Sequence, residues 1–193
     1  MDNKKETAKE RILRVADELF YREGIRAVGI DRIIAESGVA KASFYRSFAT
    51  KDELVVAYLE HRLERILQFF AKLHNEPFGS GLERLRALVD ALAQNMSRYA
   101  YRGCPFMNTT VEFPETEHPG HVKAVACRKA AWDGLVPFVT AAGIAEPEQL
   151  VGQIRMLWSG AVMVAYIHKE EFKPELFSGA VHTLIDNELQ KAG

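Results

Sequence analysis

Residues 30–48 run Ile30-Asp31-Arg32-Ile33-Ile34-Ala35-Glu36-Ser37-Gly38-Val39-Ala40-Lys41-Ala42-Ser43-Phe44-Tyr45-Arg46-Ser47-Phe48. Two short amphipathic stretches flank a glycine. In the first, Ile30–Ser37, isoleucines at positions 30, 33 and 34 make one apolar face at helical spacing. Asp31 falls in its first turn, where a carboxylate complements exposed amides. Gly38 follows as a stop. The second stretch, about Ala40–Arg46, has Val39, Phe44, Tyr45 and Phe48 as inward anchors. Two short helices joined by a glycine-containing turn constitute a helix-turn-helix. The first helix supports, and the second lies in a major groove wide enough to admit it. Ala40 and Ala42 permit close approach there, while Lys41, Ser43, Arg46 and Ser47 supply donors.

Outward from this core, the pattern stays helical. Upstream, residues 4–21 carry Ile12, Val15, Ala16, Leu19 and Phe20 as one stripe, and Gly24 ends it. Downstream, Thr50 and Glu53 form a capping-box pattern opening a long helix to about Leu73. The segment 75–81, with Pro77, Gly79 and Gly81, breaks it. Further periodic segments cover 82–99, 106–112 and 122–142, with a polar loop at 115–120. Pro137 predicts a kink, or a break near Val136. Pro147 and Pro174 stand in the first turns of two last helices. No alternation long enough for a sheet occurs, so the fold class is all-α. A boundary is expected after residue 52, between a three-helix helix-turn-helix domain (1–52) and a helical domain (53–193).

Composition constrains function less. The net charge is −1 over 193 residues. Residues 1–52 hold eleven Lys or Arg against nine Asp or Glu, and the remainder fourteen against seventeen. That mild asymmetry permits DNA binding through a small basic patch without predicting it. No uninterrupted run of about eighteen apolar residues exists, which argues against a membrane span. No export-like stretch follows Met1, and two cysteines make no disulfide scaffold. A cytoplasmic protein with no membrane partner and no cofactor is expected. A phosphate-cradling glycine loop, a nucleophile elbow and an acid-base pair are all missing, so no enzymatic activity is expected. An enzyme acting on a small apolar substrate in a C-terminal cavity, or a non-catalytic helical dimer, remain the alternatives.

The N-terminal residues resemble the TetR family of bacterial transcriptional regulators. The likeness runs from Arg11-Ile12-Leu13 through Ala16, Phe20 and Gly24, across the whole of residues 30–48, to Lys51-Asp52-Glu53-Leu54. Three departures stand out: Val28-Gly29 where a Thr or Ser pair is usual, Ala42-Ser43-Phe44 before Tyr45, and Arg46-Ser47 after it. The first removes a side-chain cap, and the others bear on which operator is read. The resemblance implies about nine helices, a C-terminal homodimer and control by an unidentified small-molecule effector. It implies that Val39, Ala40, Lys41, Ala42, Ser43, Tyr45, Arg46 and Ser47 face double-stranded operator DNA, with Tyr45 and Lys51 against phosphates. Repression is the commoner role in such families. Arg102-Gly103-Cys104-Pro105-Phe106-Met107-Asn108 also resembles a segment of one subgroup.

Other candidates carry two readings each. Met156, Ser159, Gly160, Val164, Leu176, Ala180 and Leu184, on the last two helices, suit a four-helix interface across a two-fold axis; burial within one subunit is the other reading. Phe70, Leu92, Met96, Tyr99, Phe106, Met107, Trp132, Met156, Trp158, Met163 and Tyr166 suit an adaptable apolar ligand pocket, or plain core. Cys104 is either a sensor thiol or a buried small residue. Glu115, Glu117, His118 and His121 match no strong metal-ligand spacing and suit a polar loop.

Overall fold

The computed structural model describes residues 6–75, 79–98 and 100–191. Ten helical segments and no strands occur among them: α1 (Ala8–Glu23), α2 (Ile30–Ser37), α3 (Lys41–Ser47), α4 (Lys51–His74), α5 (Gly81–Met96), α6 (Pro105–Glu112), α7 (Pro119–Asp133), α8 (Val136–Ala141), α9 (Pro147–Ile167) and α10 (Pro174–Lys191). Pro137 has the expected effect. The helical pattern of 122–142 breaks at Gly134-Leu135, and Pro137 sits in the first turn of α8, where its missing N–H costs nothing. With α7 and α8 taken as one broken helix, the count is the expected nine.

Local chemistry sets the ends. Thr7 caps α1 through a capping box, its hydroxyl accepting from Glu10 N–H while the Glu10 carboxylate accepts from Thr7 N–H. The helix therefore starts at Ala8 rather than near residue 4, which lies outside the described residues. Ser80 and Glu83 do the same for α5. At α4, Thr50 Oγ1 accepts from Glu53 N–H, and the Glu53 carboxylate reaches one residue further back, to Ala49 N–H.

The described residues form two compact units: residues up to Leu63 with Pro105–Arg128, and Glu64–Cys104 with Lys129 onward. In the first, Ile12, Val15, Leu19 and Phe20 of α1 are buried together with Ile33, Phe44, Phe48, Leu54, Val55, Tyr58 and Leu59. A part-buried ion pair joins two helices of this core. The Arg62 guanidinium of α4 donates to Asp17 of α1 and lies over the rings of Tyr21 and Tyr58, at 4.4 and 5.5 Å. Removing Asp17 strands that charge. Asp17→Ala is expected to lower unfolding free energy by about 3 kcal/mol, measured by urea denaturation.

In the second unit, Phe70, Leu85, Leu88, Val89, Met96, Trp132, Phe138, Ile154, Phe177, Val181 and Ile185 belong to one core. The start of α5 runs close against the end of α8: a Cβ on Gly81 would stand 1.9 Å from the carbonyl oxygen of Ala141. Only glycine fits there. By length and composition alone, α9 is long and apolar enough to cross a membrane, with mean hydropathy 1.4. Arg155 and Ser159 interrupt the unbroken apolar run that a simple sequence criterion requires. Its outer face is apolar too, with Met156, Met163, Val164, Tyr166 and Ile167 exposed.

Candidate nucleic-acid interface

The helix-turn-helix is built as its sequence dictates. α2 begins at Gly29 without a side-chain cap, as the departure at Val28-Gly29 anticipates. It ends at Gly38, whose φ of 63° is the left-handed conformation that turns the chain. Ala40 precedes α3 in extended backbone. Val39, Phe44 and Phe48 are buried and fix the roll of α3; each such side chain contributes about 1.5–3 kcal/mol of burial. Tyr45 is 44% exposed, so it is a surface residue rather than an inward anchor.

With those anchors inside, Ala40, Lys41, Ala42, Tyr45 and Arg46 are exposed, and Ser43 and Ser47 are half-buried. The residues expected to meet DNA, apart from Val39 beneath them and Lys51 on α4, thus lie on the solvent side of one short helix. Hydrogen bonds order this face. Arg46 Nη2 donates to Ser43 Oγ at 2.8 Å, and Ser47 Oγ donates to the Ser43 carbonyl at 2.9 Å. Lys41 Nζ lies 3.4 Å from Asp31 of α2, both side chains largely exposed. Lys51 is half-buried, with its ammonium 6.0 Å above the Phe20 ring. Burial pushes its pKa down, opposed by the carboxylates of Glu112 and Asp52.

Ion pairs tie α2 to α1. Arg32 of α2 pairs with Glu23 at the end of α1, and with Glu36 on its own helix at 2.8 Å. Hydrogen bonds from Arg32 and Arg22 hold the Glu23 carboxyl down at about 2. A depressed carboxylate supports the fold above its ordinary range and loses that support as pH falls through about 2, so this tie persists in mild acid.

The last residue of α6 and the segment after it supply Glu112 and Phe113, which the sequence did not single out, beside the polar loop residues that it did. Glu112 accepts from Arg26 N–H, in the turn between α1 and α2, at 2.7 Å. The Arg26 guanidinium lies 5.2 Å over the Phe113 ring and 3.8 Å from Glu115. His118 stacks on Phe113 at 4.1 Å, accepts Gly120 N–H on Nδ1, and faces Asp52 at 3.6 Å. His121 Nδ1 lies 2.7 Å from the Phe113 carbonyl. The polar residues of this loop therefore serve packing and hydrogen bonding. Cys104 and Cys127 are both buried, and burial pushes the Cys127 thiol up, away from the reactive thiolate.

The expected ligand-lining residues divide. Phe70, Met96 and Trp132 sit in the core of the second unit, with Leu92 and Trp158 packed against it, and Trp132 meets Trp158 edge-on at 5.4 Å. Phe106 and Met107 belong to the first unit. Met156, Met163 and Tyr166 are exposed on α9. Tyr99 lies outside the described residues. Five of the seven expected interface residues line grooves between α9 and α10. Met156, Ala180 and Leu184 line one shallow groove between α9 and α10 with Gln153, Leu157 and Thr183; Val164, Leu176 and Ala180 line a second. Ser159 and Gly160 lie on the same helix, the Ser159 hydroxyl donating to the Arg155 carbonyl at 2.7 Å.

Comparison with known proteins agrees with this architecture. Residues 12–58 match the family described as bacterial regulatory proteins, tetR family, and residues 81–181 match the tetracyclin repressor-like C-terminal domain. Over 125 residues the chain is 29% identical to the HTH-type transcriptional activator FasR of Mycolicibacterium smegmatis, covering 64% of this chain and 56% of that protein. The chain spans about half the length of the curated relatives it matches. A TetR-family transcriptional regulator from Streptomyces coelicolor superposes with a TM-score of 0.79 at 30% identity, covering 95% of each chain. A regulator from Saccharomonospora viridis, crystallised with choline, shares the fold at a TM-score of 0.73 and 17% identity, over 93% of this chain and 95% of that one.

Proposed function

This chain belongs to the TetR family of DNA-binding transcriptional regulators, and on that premise we propose that it is a homodimeric repressor whose hold on operator DNA is set by a small apolar effector. The observation that carries DNA binding is the solvent face of α3. Small and basic residues stand outward on a helix whose roll is fixed by three buried side chains. Backbone phosphates supply most of the affinity, and the exposed ends of α3 supply the reading. Each subunit reads one half-site, so the two-fold symmetry of the dimer sets the spacing of the operator.

The grooves between α9 and α10 support the dimer. Two such faces brought together across a two-fold axis make a four-helix arrangement. That partner also accounts for the apolar outer face of α9 without a bilayer. The effector is assigned to the neighbourhood of Leu92, Met96, Trp132 and Trp158, where aromatic and methionine side chains adjoin. An effector binding one dimer spacing better than another shifts operator affinity by linkage. The protein acts in the cytoplasm, where its operator is.

The test is selection of genomic fragments on the purified protein, then gel shift of the recovered sequence and a promoter reporter. The reading predicts a specific, salt-dependent complex and reporter output that falls when the protein is present. Reporter output that rises makes it an activator, as FasR is named. Failure to enrich any sequence from the whole genome overturns the DNA-binding reading itself.

A further inference from the structure

Glu112 lies 86 residues from Arg26 in the chain, yet its carboxylate accepts the Arg26 backbone N–H at 2.7 Å. Arg26 is in the turn that leads from α1 into α2. Both carboxylate oxygens also pack over Gly24, 3.4 Å from where a Cβ would stand. The next residues grip the same turn, Phe113 beneath the Arg26 guanidinium and Glu115 paired with it. Ile25 and Val28 of the turn are buried, so the turn is held from inside by burial and from outside by α6.

We propose that Glu112 is a positioning residue for DNA binding, its carboxylate anchoring the α1–α2 turn and so the angle at which α2 and α3 meet the duplex. The inference rests on the DNA-binding reading above. A reading helix held in register before binding loses less conformational freedom on docking than one that must be fixed then. A single charge-assisted hydrogen bond to a backbone amide restrains the turn without occupying the surface that faces DNA. Glu112 is half-buried, and its carboxylate also acts electrostatically on Lys51, an expected phosphate contact.

Three variants separate positioning from charge and from general stability. Glu112→Ala removes the acceptor. Glu112→Gln keeps an acceptor oxygen and removes the charge. Val111→Ala alters the exposed neighbour as a control. The readouts are affinity for the selected operator fragment by fluorescence anisotropy at several salt concentrations, melting temperature, and hydrogen exchange at the Arg26 amide. Glu112→Ala is expected to bind about tenfold more weakly with an unchanged slope of affinity against salt, because no phosphate contact is lost. Glu112→Gln is expected to recover most of the affinity, and Val111→Ala to match the parent. Arg26 exchange should quicken at least about tenfold in Glu112→Ala only, as a lost hydrogen bond requires. Parent-like affinity in Glu112→Ala, a Gln variant as weak as the Ala variant, or a changed salt slope overturns the proposal. If the parent binds no DNA, the regulator reading fails instead. Arg26 exchange then decides the anchor alone, and equal rates in parent and Glu112→Ala reject it.

Discussion

Arg46→Ala is expected to weaken specific operator binding at least about thirtyfold while leaving the fold intact. Arg46 is exposed on α3, and it donates to Ser43 Oγ at 2.8 Å on the same helix. Its removal therefore opens no cavity. That hydrogen bond holds one edge of the guanidinium along the helix and leaves the other donors for a base edge. A lost arginine–base contact costs about 1–3 kcal/mol. A symmetric dimer loses it twice, about 2–6 kcal/mol in all, or about thirtyfold at the least. Arg46→Lys keeps the charge but not the planar fork, so it is expected to restore little affinity and to relax sequence preference at one position per half-site. Quantitative gel shifts against a library varied at each operator position measure both. Recovery by lysine with unchanged preference would reassign Arg46 to a phosphate.

Ala180→Glu is expected to convert the protein to a monomer and, through that, to weaken operator binding at least about a hundredfold, because half-site recognition needs paired reading heads. Ala180 is exposed and lines both grooves between α9 and α10. A glutamate there is solvated in an isolated chain but becomes desolvated, and faces its own symmetry mate, in a dimer. Sedimentation velocity at micromolar concentration checks the first effect, and anisotropy on the selected operator the second. A lower melting temperature is expected as well, because association no longer stabilises the folded chain. A variant that remains dimeric would move the interface off these two helices.

Much of the reading head was legible because its signals are local. Isoleucines at 30, 33 and 34, a stop at Gly38, and Phe44 and Phe48 four residues apart each act within one or two turns. The proline at 137 was equally readable, since a missing N–H has the same consequence anywhere. The start of α1 was not, because the competing signal, Thr7 with Glu10, is a cap rather than an apolar stripe. Tyr45 was misplaced among the inward anchors for a related reason. Adjacent aromatics at 44 and 45 cannot share one helix face, and only packing decides which turns inward.

Non-local pairings escaped the sequence altogether. Nothing in Glu112-Phe113-Pro114-Glu115 announces that it meets a turn near residue 26. The boundary expected after residue 52 cuts the chain once, whereas the compact units divide it differently, with 105–128 grouped with the N-terminal residues. The ligand candidates share that difficulty. Met156 and Trp158 stand two apart on α9, yet one is 67% exposed and the other packs on Trp132. Composition alone does not separate a groove from a core.

In the proposed complex α3 reads the major groove as one half of a symmetric pair. Methylation interference on the selected operator tests it most directly, because a methyl group on guanine N7 projects into the major groove and one on adenine N3 into the minor. The account predicts two clusters of interfering guanines on one face of the duplex, separated by about 34 Å or a multiple of it. Binding that tolerates every N7 methyl group, or that is blocked only by adenine N3 methylation, would contradict it.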